Sequence, residues 1–153
     1  MRSFKSTTQL QTTQLRGAQA EDRALAHLRR QGLEPVVRNY RCKGGEIDLV
    51  MRAPDGTLAF VEVRRRSGRG FGGAAASVTP AKQRRVLLAA AHYLATLAQV
   101  PPCRFDVVAL EPGRLDWLQH AFDQNAAGAV SYARQTLRYD PRIAMATTRP
   151  PEP

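Results

Sequence analysis

The chain has 153 residues, with 23 Lys and Arg against 13 Asp and Glu, a formal net charge of +10. That length suits one domain, the 43% of hydrophobic residues can fill a core, and the basic excess favours an anionic partner such as nucleic acid or a membrane surface. Two cysteines, Cys42 and Cys103, exclude a disulfide framework and a four-Cys zinc site, and c-type haem, collagen and coiled coil are excluded as well.

No stretch approaches the roughly 20 apolar residues of a membrane span, and the start lacks the apolar core of a signal peptide. A reducing, cytoplasmic setting is expected. Residues 1–15 repeat Thr-Thr-Gln-Leu and Gln-Thr-Thr-Gln-Leu without an apolar stripe, which suggests a flexible basic arm. Gly17 to Gln31 predicts a helix, with Ala18, Leu25 and Leu28 on one stripe, Ala24 widening it and Gly32 closing it. Glu21 falls three residues after Ala18 and four before Leu25, an odd inward place for a carboxylate.

Residues 34–41 predict a strand with Pro35 near its start. Cys42-Lys43-Gly44-Gly45 is a turn, Glu46 to Ala53 a second strand, Pro54-Asp55-Gly56 a tight connection and Thr57 to Arg66 a third strand. Ser67 to Val78 is Gly-rich but lacks the Gly-Lys-Ser/Thr ending of a P-loop; it suits a flap over substrate, with Phe71 as base platform or loop anchor. Thr79-Pro80 starts a second helix, Thr as N-cap and Pro at the first helical position. Val86, Ala90, Tyr93, Leu94 and Leu97 carry it to about Gln99, and Pro101-Pro102 stops it. Cys103 to Leu110 predicts a fourth strand, and Leu115 to Phe122 a short last element. Past about Asn125 the pattern decays, and Pro141, Pro150, Pro151 and Pro153 suggest a disordered tail. The expected organisation is an arm over 1–15, a domain over 16–124 and a tail over 125–153. The core order is α-β-β-β-α-β.

The hairpin of strands two and three carries the chemistry. If Pro54-Asp55-Gly56 is a three-residue loop, Ala53 faces Thr57. Ile47 then pairs with Val63, Leu49 with Val61 and Met51 with Ala59, giving one apolar face. The other face opposes Asp48 to Glu62 and Glu46 to Arg64. A two-residue loop would oppose residues that point to different faces, which the pleat forbids. Like charges about 5 Å apart on a sheet are destabilising. A bridging divalent cation explains such a pair, since Mg²⁺ takes one or two carboxylates plus water and phosphates. A solvated hairpin face, balanced by Arg64 and Arg65, explains it equally.

These residues resemble the YraN family of small bacterial proteins. The resemblance rests on Gly17, Glu21, Ala24, Leu28 and Gly32, on Arg38-Asn39-Tyr40-Arg41, on Gly45-Glu46-Ile47-Asp48-Leu49-Val50 and on Phe60-Val61-Glu62-Val63-Arg64-Arg65-Arg66. Phe71-Gly72, Lys82, Arg104-Phe105-Asp106-Val107-Val108 and Ala121-Phe122 extend it over roughly residues 17–122. The family is similar to restriction-endonuclease-like PD-(D/E)XK nucleases, particularly Holliday-junction resolvases. The resemblance implies an α/β fold, a mixed sheet flanked by helices, with Asp48 and Glu62 as ligands of Mg²⁺ or Mn²⁺. It implies Glu21 as the helix-borne carboxylate that completes the metal site. Arg64 stands where the motif has Lys, and Lys82 is the other cation placed to act there. The implied function is metal-dependent hydrolysis of DNA, possible on branched substrates and by a homodimer. The alternative is a weak or inactive nuclease fold that serves as a DNA-binding or protein adaptor.

Arg64, Arg65, Arg66 and Arg69, with Lys82, Arg84 and Arg85, form a basic run suited to a phosphate backbone or simply to solvation. A membrane partner is disfavoured, because no basic amphipathic helix with a bulky apolar face is evident. Glu46 is expected to pair with Arg64, with a supporting place behind the metal ligands as the alternative, and Asp106 to be a satisfied structural acid. His27, His92 and His120 lack metal-ligand spacing.

Overall fold

The computed structural model describes residues 7–66 and 78–123. Helix α1 (Thr7–Arg30) precedes strands β1 (Glu34–Cys42), β2 (Gly45–Arg52) and β3 (Leu58–Arg65). Helix α2 (Pro80–Leu94) then crosses to β4 (Cys103–Glu111) and β5 (Arg114–Phe122). The five strands lie side by side in chain order; β3 and β4 pair parallel and every other neighbour antiparallel. This is the expected α/β fold, a mixed sheet between two helices with a nuclease-like core order, extended by β5 at one edge. The tail over 125–153 and most of the Gly-rich stretch, Arg69 and Phe71 included, lie outside the described residues.

The turn chemistry fixes the hairpin as the residues predict. Ala53 N–H donates to the Thr57 carbonyl at 2.9 Å, and Gly56 takes φ 88°. Leu49 faces Val61, Val50 faces Phe60 and Met51 faces Ala59. The ladder stops there. The expected continuation through Ile47–Val63, Asp48–Glu62 and Glu46–Arg64 does not form. Instead the Val63 N–H donates to Asp48 Oδ2 at 2.7 Å.

The cause lies one strand away. Val37 and Tyr40 on β1 both pack into the cluster under α2, as do Ile47 and Val50 on β2. Residues three apart on a regular strand point to opposite faces. Between them Asn39 takes φ 50°, and neither Asn39 nor Asp48 belongs to a paired position. Both strands therefore switch faces at this point. Ile47 leaves the apolar face that the alternation assigned to it and joins α2.

Two cores result. Ala20, Ala24 and Leu28 of α1 pack on Leu49, Met51, Ala59, Val61 and Val108. Val86, Ala89, Ala90 and Tyr93 of α2 pack on Ile47, Val50, Leu58, Phe60 and Phe105. Thr79 caps α2 as expected, its hydroxyl accepting from the Lys82 N–H, with Pro80 following. The helix ends at Leu94, short of Gln99, because the next N–H groups of Thr96 and Leu97 turn back to Tyr93 and Leu94 in tighter, 3₁₀-like bonds.

Helix α1 starts ten residues earlier than its apolar pattern suggests, at Thr7. Its first half buries nothing, so no periodicity marks it; Thr12 and Thr13 hydroxyls bond back to the Thr8 and Gln9 carbonyls. Its buried stripe is Ala20, Ala24 and Leu28, not Ala18. Glu21 therefore sits on the shoulder of that stripe rather than inside it.

Asp106 is fully buried on β4 and fully satisfied. It accepts from Arg104 Nε, Trp117 Nε1 and the His120 N–H, at 3.0–3.2 Å. His120 takes φ 51° and the β4–β5 register shifts between Phe105 and Val107.

Gly45 sets how closely α2 approaches β2. A Cβ there would lie 2.6 Å from the Arg85 carbonyl oxygen and 2.9 Å from the Ala89 nitrogen. Gly45→Ala is expected to destabilise the protein by about 1–3 kcal/mol, as overpacking does. Gly17→Ala, in open helix, is expected to be neutral or to stabilise by up to about 1 kcal/mol. Urea unfolding of both variants checks the contrast.

Candidate metal and phosphate site

The splayed end of β2 and β3 gathers the chemistry. Glu62 is regular in β3 and points to the α2 side, at 2% exposure. Its Oε2 is fully buried and has no hydrogen-bond partner. Its Oε1 lies 3.5 Å from Lys82 Nζ and 3.8 Å from an Arg64 guanidinium nitrogen. Burial and the neighbouring Asp48 carboxylate push Glu62 up to about 8, against the pull of Lys82 and Arg64. A buried carboxylate oxygen is costly when ionised and unpartnered, and a hydrogen bond with the Asp48 side chain favours the protonated acid.

Asp48 is half-buried and is anchored by the Val63 backbone. Glu21 reaches the same end from α1. Its carboxylate accepts from Asn39 Nδ2 at 3.0 Å and lies 3.8 Å from Arg38. Burial raises its pKa, with Asp48 adding to the rise, while the Asn39 hydrogen bond opposes it. Arg38 also binds Asp22 at 2.8 Å.

Lys82 leans into the site from the first turn of α2. Its ammonium binds Glu46 Oε1 at 2.5 Å and bridges from there to Glu62. Glu46 is held below the usual carboxylate range by that hydrogen bond. Arg85 adds a second contact to Glu46 at 3.7 Å. Glu46 is thus paired with Lys82 and Arg85, not with Arg64 as the regular register would have it. Arg65 is exposed, while Arg66 is half-buried and lies 3.6 Å from Glu111.

A divalent cation, the group that the nuclease fold implies, fits these residues. The donors are hard carboxylate oxygens, and one of them is buried without a partner. Among the described residues no group of three or more His, Cys, Asp or Glu is gathered as a ready cage. Two protein carboxylates with the remaining positions left to water or phosphate match Mg²⁺ better than a metal that demands a closed shell. Asp48 and Glu62 would hold the ion, with Glu21 beside them.

Three members of the site were not evident from residue type alone. Asn39 stands behind Glu21, and its positive φ was the only signal in kind, an Asn inside a strand. The Val63 N–H gives Asp48 its anchor, which needs the splay to be known. Glu46 becomes the base for Lys82 only once Gly45 lets α2 come close.

A mixed sheet whose second and third strands part beside a helix-borne lysine makes this an α/β domain with a nuclease-like order of elements. Sequence comparison agrees on the family. Residues 20–110 match the model of the Uncharacterised protein family UPF0102, a span that holds Glu21, Asp48, Glu62, Arg64 and Lys82. A UPF0102 protein of Cupriavidus necator is 95% identical over 131 residues, covering 86% of this chain and 100% of that protein. One from Cupriavidus taiwanensis is 87% identical over 131 residues, 86% of this chain and 99% of its own. A more distant one from Albidiferax ferrireducens is 56% identical over 119 residues, 76% of this chain and 93% of its own. The chain belongs to the UPF0102 family, the YraN group.

The raised Glu62 pKa has a stability consequence of definite sign. Its folded value of about 8 lies above its ordinary 4.5, so folding favours the protonated acid. That contribution is complete below about pH 4.5 and is lost as pH rises through 8. Glu62→Gln, which cannot ionise, is expected to melt higher than the parent near pH 9 and to converge with it near pH 5. Parallel melting curves across that range would contradict this assignment.

Proposed function

We propose that this protein binds nucleic acid and hydrolyses its phosphodiester bonds with a divalent cation held by Asp48 and Glu62. The observation that carries the reading is the buried Glu62 carboxyl held against the Asp48 carboxylate. Such a bound ion would supply charge stabilisation at phosphorus and lower the pKa of an attacking water. The protein's own residues do the rest. The Val63 N–H fixes Asp48 in orientation. Lys82 bridges Glu46 and Glu62, and its ammonium would lie beside a substrate phosphate bound at the pair. Arg64, in the place of the motif lysine, is a permanent cation whose planar fork suits a phosphate oxygen. Glu21, raised in pKa and adjacent to Asp48, is placed to accept or donate a proton at the edge of the site.

The substrate class we favour is DNA, branched DNA included, handled in the cytoplasm by a homodimer. The net charge of +10 supports a polyanionic partner. Among the described residues no helix is long and apolar enough to cross a membrane.

A second reading has its own observation. Lys82 already partners Glu62 of the acidic pair, and among the described residues no third carboxylate is gathered with Asp48 and Glu62. A fold so balanced would serve as a nucleic-acid or protein adaptor without cutting.

Calorimetric titration with Mn²⁺ separates the two, with labelled four-way-junction and flap DNA incubated on the same samples. The nuclease reading expects Mn²⁺ binding in the parent, its loss by at least tenfold in Asp48→Asn and Glu62→Gln, and cleavage that follows binding. Arg64→Lys is expected to retain or raise the cleavage rate. Absence of both Mn²⁺ binding and cleavage, with salt-sensitive DNA binding kept, would establish the adaptor.

A further inference from the structure

Two shallow cavities lie along one flank of α1. The first, about 240 Å³, is lined by Arg16 and Arg23 of the helix and by Arg65, Arg66 and Glu111 across from it. The second, about 340 Å³, is lined by Arg23, His27 and Arg30 and by Gly113 and Leu115 of the β4–β5 turn. They share Arg23, so they form one groove between α1 and the β4–β5 hairpin.

Arg16, Arg23 and Arg30 recur every seven residues, two helical turns, and are exposed on one face of α1. At 1.5 Å per residue they span about 21 Å. The flank is not the one that carries Glu21. Glu21 leans toward β1 through Asn39 and Arg38, whereas the arginines lean toward β4 and β5. The buried stripe of Ala20, Ala24 and Leu28 separates the two. Arg65 and Arg66, at the end of β3 and just past it, line the groove from the α1 side of the sheet, whereas Glu62 points to the α2 side. Five arginines face one acid, Glu111.

We propose that this groove holds a phosphodiester backbone, the arm of a nucleic-acid duplex laid along α1. The inference rests on the nucleic-acid reading above and adds a path to it. Arginine is the side chain that grips phosphate oxygens two at a time. One strand of a duplex advances a phosphate about every 3.4 Å along its axis, so the length of the groove covers about six of them. A membrane surface is the poorer occupant: the helix side of the groove offers no bulky apolar side chain, only arginines, Gln19, His27 and alanines.

The test is fluorescence-anisotropy titration of a labelled DNA duplex of about 30 base pairs, without divalent metal, at several salt concentrations. The full chain is compared with the triple variant Arg16→Ala, Arg23→Ala, Arg30→Ala, with the matching triple Arg→Lys variant and with Arg23→Glu alone. All three positions are exposed on a helix, and alanine keeps the helix. The proposal expects the alanine variant to lose about 2–3 units of slope in log affinity against log salt and at least tenfold in affinity near 0.1 M salt. The lysine variant is expected to keep the slope, and Arg23→Glu to weaken binding on its own. Parent-like affinity and slope in the alanine variant and in Arg23→Glu would overturn the groove and leave the nucleic-acid reading intact. A parent that does not bind DNA even at low salt would overturn both. Binding to anionic phosphatidylserine vesicles instead, lost in the alanine variant, would make the groove a lipid-headgroup site and overturn the proposal.

Discussion

The site depends on one break in strand alternation. Where Asn39 turns through a positive φ, β1 and β2 exchange their faces together, and Asp48 is left outside both ladders. A regular β2 would have kept pairing with β3 and would have set Asp48 squarely against Glu62. The break lets the strands part, gives the Asp48 carboxylate a backbone donor from Val63 and sends Ile47 under α2. The strain of a left-handed asparagine and several unmade ladder bonds is offset by the packing of Tyr40, Ile47 and Val50 in one cluster. Irregular backbone of this kind tends to mark functional positions, and here it coincides with the acidic pair.

The sequence revealed those features that depend on neighbours in the chain. The Pro54-Asp55-Gly56 turn and the apolar pairing of Leu49 with Val61 were enough to fix the hairpin register. Thr79-Pro80 located the start of α2 to the residue. The missing parts depend on partners far along the chain. Nothing near Ile47 says that it changes face, because the cause is Asn39 on the next strand. Nothing near Glu46 says that it binds Lys82, because that contact exists only where Gly45 brings α2 against β2. The first half of α1 was illegible for a different reason: a helix that buries nothing leaves no hydrophobic period to read.

The division of charge follows the same geometry. Carboxylates collect where strands part, between the two helices: Glu21 is met by Arg38 of β1, Glu46 by Lys82 of α2, and Glu62 by Lys82 and by Arg64 of its own strand. Arg16, Arg23 and Arg30 collect on the other shoulder of α1. One helix thereby borders both an acidic pocket and a basic groove.

The two ends of the sheet carry a further consequence, for how copies of this chain can meet. At one edge β1 has Pro35, which cannot donate to a neighbour, and a register shift between Pro35 and Val37. At the other, β5 bends at His120, whose N–H turns inward to buried Asp106 instead of outward to a new strand. Both margins are blunted against continuation. The sheet is closed to strand addition along these stretches, which guards a chain with long β-strands against edge-to-edge aggregation.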